Sequence, residues 1–87
     1  VSQSIDRWWE TIKTHYGTLD NFDDAGTVRI MRNQCRAVVA DNLVTLVLLE
    51  DHPEEAADWE ASTKDEQDRV NEVLAACCAW LKSRGLE

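Results

Sequence analysis

Apolar residues recur at Ile5, Trp8, Trp9, Ile12 and Tyr16. Counted from Ile5 they lie at 3, 4, 7 and 11 residues, which traces one stripe of an amphipathic helix. The spacing predicts a helix over 4–16, with Ser4 as its N-cap and Gly17 just past its end. Between Thr18 and Gly26 the apolar pattern breaks, and Asp20, Asn21, Asp23 and Asp24 surround Phe22. This stretch reads as a loop that delivers acidic side chains to the N-terminus of the next helix, where the helix dipole favours negative charge.

The following segment carries two competing signals. Thr27, Val28, Ile30, Val38, Val39, Val44, Thr45 and Val47 are β-branched and suit strands, so a β-meander over residues 27–49 in an α+β fold is one alternative. The polar positions favour a helix: Arg29, Arg32, Asn33 and Arg36 share one helical face, while Val28, Met31, Cys35 and Val38 keep the complementary stripe. With no Gly or Pro between Thr27 and Glu50 to turn a hairpin, a helix over 24–50 is the preferred reading.

Pro53 stops that helix and suits the first turn of a short one over 53–61. Ser62 and Thr63, with Asp65 and Glu66 behind them, look like the capping box of a last helix over 63–84. Its stripe is Val70, Val73, Leu74, Cys77 and Leu81, and Gly85 follows Lys82 and Arg84 as a stop. The expectation is an all-α fold, a small bundle of three long helices and one short helix, forming a single helical domain over 1–87. Ile12, Met31, Val38, Leu46, Val73, Leu74, Cys77 and Leu81 are expected in its core. Leu86-Glu87 reads equally as a cloning scar and carries no weight in this expectation.

Some apolar residues exceed what one core needs. Leu43, Val44, Leu46, Val47, Leu48 and Leu49 cover nearly the whole circumference of a helix, and such a helix must be buried all round. Ala75, Ala76 and Ala79 form a second small-residue face opposite the Val70 to Leu81 stripe. Self-association as a two-fold homodimer is therefore expected, through Leu43, Leu46 and Val47 or through Ala75 and Ala79. There are four tryptophans, and adjacent helical residues such as Trp8 and Trp9 point about 100° apart. Most of the four are expected in the core, but both of this pair cannot face fully inward, which makes one of them, Trp9, or else Trp80, a candidate contact residue for a partner.

Charge narrows the range of partners. Nine Lys and Arg against seventeen Asp and Glu give a net charge of −8, which repels phosphate backbones and argues against direct nucleic-acid binding. The imbalance is local: Glu50, Asp51, Glu54, Glu55, Asp58 and Glu60 fall within a stretch that has no Lys or Arg, whereas residues 25–40 hold three arginines and no acid. The acidic run is expected as an exposed docking face for a basic protein partner. The arginines are expected to answer carboxylates of the same chain or of a second subunit.

No apolar run approaches the roughly 20 residues of a membrane span, and the visible N-terminus lacks the pattern of a signal peptide. Three cysteines, Cys35, Cys77 and Cys78, give an odd count without Cys-x-x-Cys spacing. Reduced core residues in a cytoplasmic protein are the simplest expectation.

Candidate chemistry is sparse. His15 suits a helix C-terminus, and His52 lies in an acidic turn without a nucleophile motif nearby. Glu54, Glu55 and Asp58 lack both a calcium loop and the Glu-x-x-His motif of di-iron bundles. The expectation is a small acidic non-enzymatic protein–protein interaction module with no cofactor, no metal and no catalytic residue; a small enzyme or metal protein is one alternative. In size and acidity the chain resembles the small inhibitors that phages and mobile elements direct against host nucleic-acid machinery. That resemblance implies another alternative, an inhibitor imitating nucleic-acid charge and blocking a host nucleic-acid-binding protein.

Overall fold

The computed structural model describes residues 2–87. Among them the architecture is all-α: helix α1 (Gln3–His15), a 3₁₀ turn (Leu19–Asn21), helix α2 (Ala25–Glu50) and helix α3 (Pro53–Ser83). Residues 27–49 lie inside α2, so the β-meander alternative is excluded. Burial of the stripe containing Val28, Cys35 and Val38 outweighs the β-branched propensity.

The expected helices over 53–61 and 63–84 are one continuous helix. Three helices and a 3₁₀ turn thus replace three long helices and one short one. Ser62 and Thr63 sit mid-helix and cap nothing. A capping box would need the Glu66 carboxylate to reach back to the Thr63 backbone N–H. It instead accepts hydrogen bonds from Ser2 Oγ at 2.8 Å and Asn42 Nδ2 at 3.0 Å.

Elsewhere the ends follow local chemistry. The α1 N-cap is Ser2 rather than Ser4, and Gly17 takes φ +76° directly after the C-cap Tyr16. Asp24 caps α2, accepting from Thr27 N at 3.2 Å and Thr27 Oγ1 at 2.8 Å, and these bonds hold its carboxyl below the ordinary range. At the end of α3 the Leu86 N–H donates to Leu81 O at 2.9 Å and the Gly85 N–H to Lys82 O at 3.1 Å, with Gly85 at φ +69°. This paired closure is a Schellman motif.

α2 and α3 form an antiparallel hairpin through Asp51 and His52, and Pro53 opens α3. α1 runs beside the second half of α3: Ser2 meets Glu66 and Asp6 lies 3.7 Å from Arg69, while Trp9 and Ile12 reach the level of Ala76 and Ala79. The core forms only where three helices meet. Its α2 members are Val28, Cys35 and Val38, and its α3 members run from Val70 to Leu81, with Ile5, Ile12 and Leu19 closing over them.

The loop after α1 is pinned to the same end. Phe22 meets Trp8 and Tyr16 edge-on at 5.8 and 5.2 Å, and its carbonyl accepts from Trp80 Nε1 at 3.0 Å. Arg84 stacks on Trp80 at 3.9 Å and donates to Asp20 O at 3.0 Å.

Asn42, which also donates to Gln67 Oε1 at 3.2 Å, and Thr63 mark where the core stops. Between them, around the turn, no residue is buried. This half of the hairpin is a two-helix arm, and it makes the molecule elongated, at 46 × 26 × 15 Å. Leu46, expected in the core, is only half-buried there, because no third helix covers the arm.

Candidate functional site

The arm carries the expected interaction residues, and the structure sorts them by face. Leu46 and Leu49 turn toward α3, where with Pro53 and Ala56 they line a cleft of about 350 Å³. Leu43, Val44, Val47 and Leu48 turn away and together form a purely apolar depression on the outer face of α2. Their exposures are 53, 61, 60 and 58 per cent, so the expectation that this stretch is buried all round holds on one side only. The reason is that this face stays exposed along the whole of α2, at Ile30, Asn33, Ala37 and Ala40 too, while the core packs on the opposite stripe of Val28, Cys35 and Val38. Of the expected self-association set, Leu43 and Val47 share this outer patch, whereas Leu46 belongs to the inner cleft.

The acidic run occupies the tip of the arm. Glu50, Asp51, Glu54, Glu55 and Asp58 are exposed, while Glu60 is half-buried and takes an i,i+4 ion pair with Lys64 at 2.7 Å. Trp80 is buried, whereas Trp59, expected in the core with the other tryptophans, is exposed at 65 per cent, flanked by Asp58 and Glu60. Its adjacency to acids was the available signal.

The other expected face lies at the opposite end of the molecule. Ala75 and Ala79 are exposed, but Ala76 and Ala79 floor a groove of about 600 Å³ walled by Trp9, Ile12, Leu19 and Trp80. Sequence spacing placed the alanines on one face; it could not show that the loop after α1 would fold over their edge. Trp9 is half-buried, with Lys13 Nζ 5.8 Å from its ring, and its indole N–H is buried with no hydrogen-bond partner. The structure does not bring Trp9 near the acidic run.

Of the arginines, Arg32 and Arg36 each place a guanidinium nitrogen 3.0 Å from Glu87 Oε1. Arg29 has no ion pair among the described residues. His15 and His52 are exposed at opposite ends of the fold, the first closing α1 and the second in the α2–α3 turn. Among the described residues no three His, Cys, Asp or Glu side chains converge as metal ligands. Cys35 and Cys77 are fully buried, and burial, followed by the other thiols nearby, pushes them up to about 11 and about 12. Protonated thiols of this kind are poor nucleophiles. Among the described residues no helix is long and apolar enough to cross a membrane.

Compared with protein-family models, curated proteins and solved structures, the chain matches none.

Proposed function

We propose that the protein is a non-enzymatic interaction module that self-associates and docks onto a basic protein through its two-helix arm. The observation that carries this reading is the uncovered apolar patch of Leu43, Val44, Val47 and Leu48. Each such side chain, fully returned from water, contributes about 1.5–3 kcal/mol. A domain whose net stability is itself roughly 5–15 kcal/mol gains substantially by covering four of them.

The acidic tip supports the basic partner. Five exposed carboxylates and an exposed Trp59 combine long-range attraction with an aromatic anchor of the type enriched at binding hot spots. An inhibitor imitating nucleic-acid charge would use the same run, but would need acids spaced along a surface like phosphates. The free thiols of the core suit a reducing compartment such as the cytoplasm.

Sedimentation equilibrium at micromolar concentration tests the first part. A mass above the 9.9 kDa monomer is expected. Val47→Glu should return it to monomer, and Ala75→Glu should leave it unchanged. A single monomeric species at every concentration overturns self-association. For the acidic tip, replacing Glu54, Glu55 and Asp58 with Gln, Gln and Asn should slow association with a captured basic partner and flatten its salt dependence.

A further inference from the structure

Resting on the self-association reading, we infer that the outer face of α2 is covered by α2 of a second copy, antiparallel about a two-fold axis near Ala37 and Ala40, with Arg29 of each copy paired to Glu50 of the other. The first support is periodicity. Ile30, Asn33, Ala37, Ala40, Val44 and Val47 follow one another at alternating steps of three and four residues, and all six are exposed. That spacing is the seam of a coiled coil, which keeps one stripe facing a partner helix. It runs about 26 Å along α2 at 1.5 Å per residue. The inward stripe of Val28, Cys35, Val38 and Asn42 is buried against the rest of the molecule, so the seam is a second, independent face of the same helix.

Antiparallel pairing fits the side chains on this seam. Ile30 meets Val47 of the second copy, Asn33 meets Val44, and Ala37 meets Ala40. The alanines fall at the crossing point, where small side chains let two helices approach closely. Of the flanking residues, Leu43 lies beside the aliphatic stem of Arg36 of the second copy, and Leu48 beside Thr27. The isolated Arg29 arrives opposite Glu50, which likewise has no ion pair among the described residues.

Charge decides the direction. Residues 25–40 carry only positive charge and residues 50–60 only negative charge. An antiparallel pair sets each acidic arm against the basic half of its neighbour. A parallel pair would place the two acidic arms side by side and the two arginine clusters face to face, a like-charge arrangement that suppresses association. Its main gain would be Arg36 against Asp41, yet Arg36 is already held by Glu87. Asn33 would gain little from a second Asn33, because its Oδ1 already accepts from Arg32 Nε at 3.3 Å. On this geometry the second copy is itself a basic partner for the base of the acidic run.

Two linked experiments test the inference, both on the full chain with its half-buried Cys78 changed to Ser. Asn33→Cys and Val44→Cys proteins, mixed and oxidised, should give the mixed 33–44 disulfide in excess over either symmetric one. Separately, Arg29→Glu and Glu50→Arg should each weaken dimerisation by about tenfold, because each creates repulsion at two symmetric sites, and the double variant should recover most of the loss. Circular dichroism confirms that these surface changes leave the helices intact. A dominant Val44→Cys symmetric disulfide would mean parallel pairing and overturn the inference while self-association stands. Failure of the double variant to recover affinity overturns the Arg29–Glu50 pair, and a parent protein that is monomeric throughout overturns both readings.

Discussion

Asn42 donates its side-chain amide to Glu66 Oε1 at 3.0 Å, joining α2 to α3 at the level where the apolar core ends. Ser2 binds the other carboxylate oxygen from the start of α1, so one acid joins all three helices. The Ser2 hydrogen bond, then those of Asn42 and the Arg69 charge, hold the Glu66 carboxyl below the ordinary glutamate range despite partial burial. A carboxylate depressed in the folded state stabilises it above the unfolded value of about 4.3, and that stability is lost as pH falls through the folded value. Glu66→Gln should cost about 1 kcal/mol at pH 7, and the cost should shrink as pH falls below the unfolded value, read by urea unfolding across that range.

The continuity of α3 gives a sign test. If Ser62 capped a helix, Ser62→Ala would destabilise by about 1 kcal/mol. In the exposed interior of a helix the same change should stabilise by a few tenths of a kcal/mol, since Ala is the better helix former. Asp24→Ala, at a true N-cap, should instead destabilise. Urea midpoints of the two variants should move in opposite directions.

The tryptophans should respond unequally to shortening. Trp8 buries an indole N–H that has no hydrogen-bond partner, so Trp8→Phe removes an unpaired donor along with some packing. We expect a loss of no more than about 1 kcal/mol. Trp80→Phe breaks the 3.0 Å bond to Phe22 O, leaving a part-buried carbonyl unpaired, and keeps only a smaller ring for Arg84 to stack on. Its loss should be about 2–3 kcal/mol by thermal or urea denaturation.

How much of this was legible in the sequence differs by residue. Gly17 and Gly85 stood out as stops because a positive φ after a helix is a local demand, and both take it. The inward stripe of α2 was readable as soon as Arg29, Arg32 and Arg36 were counted as one face. The merger of the last two helices was not, because Ser62, Thr63, Asp65 and Glu66 satisfy a local rule while Glu66 is committed to Ser2 and Asn42 from distant parts of the chain. The half-burial of Leu46 was equally hidden. It continues the inward stripe of Cys35, Val38 and Asn42, but whether a third helix covers that level depends on where α1 lies, and nothing in residues 43–49 records that.

The buried thiols give a pH dependence of opposite sign to that of Glu66. Cys35 and Cys77 are raised to about 11 and about 12, chiefly by burial, whereas thiols in the unfolded chain ionise near 8.5. Above that value the unfolded state holds fewer protons than the folded one, so stability should fall by up to about 1.4 kcal/mol per pH unit per thiol. Thiol titration at pH 8 with an aromatic disulfide reagent should modify Cys78 first, and Cys35 and Cys77 only on unfolding.

Because the apolar core occupies only the three-helix end, the chain should not open as one unit. Amide protons between Leu43 and Glu60 are held by helical hydrogen bonds with little packing above them, so they can exchange with solvent through local unzipping from the Asp51–His52 turn. Those of Val28–Val38 and Val70–Leu81 should exchange only with global unfolding. A deuterium-uptake profile of the dilute protein should therefore show a fast hairpin tip and a slow base. Raising the protein concentration should slow the tip selectively, marking when the arm exchanges water for a neighbour.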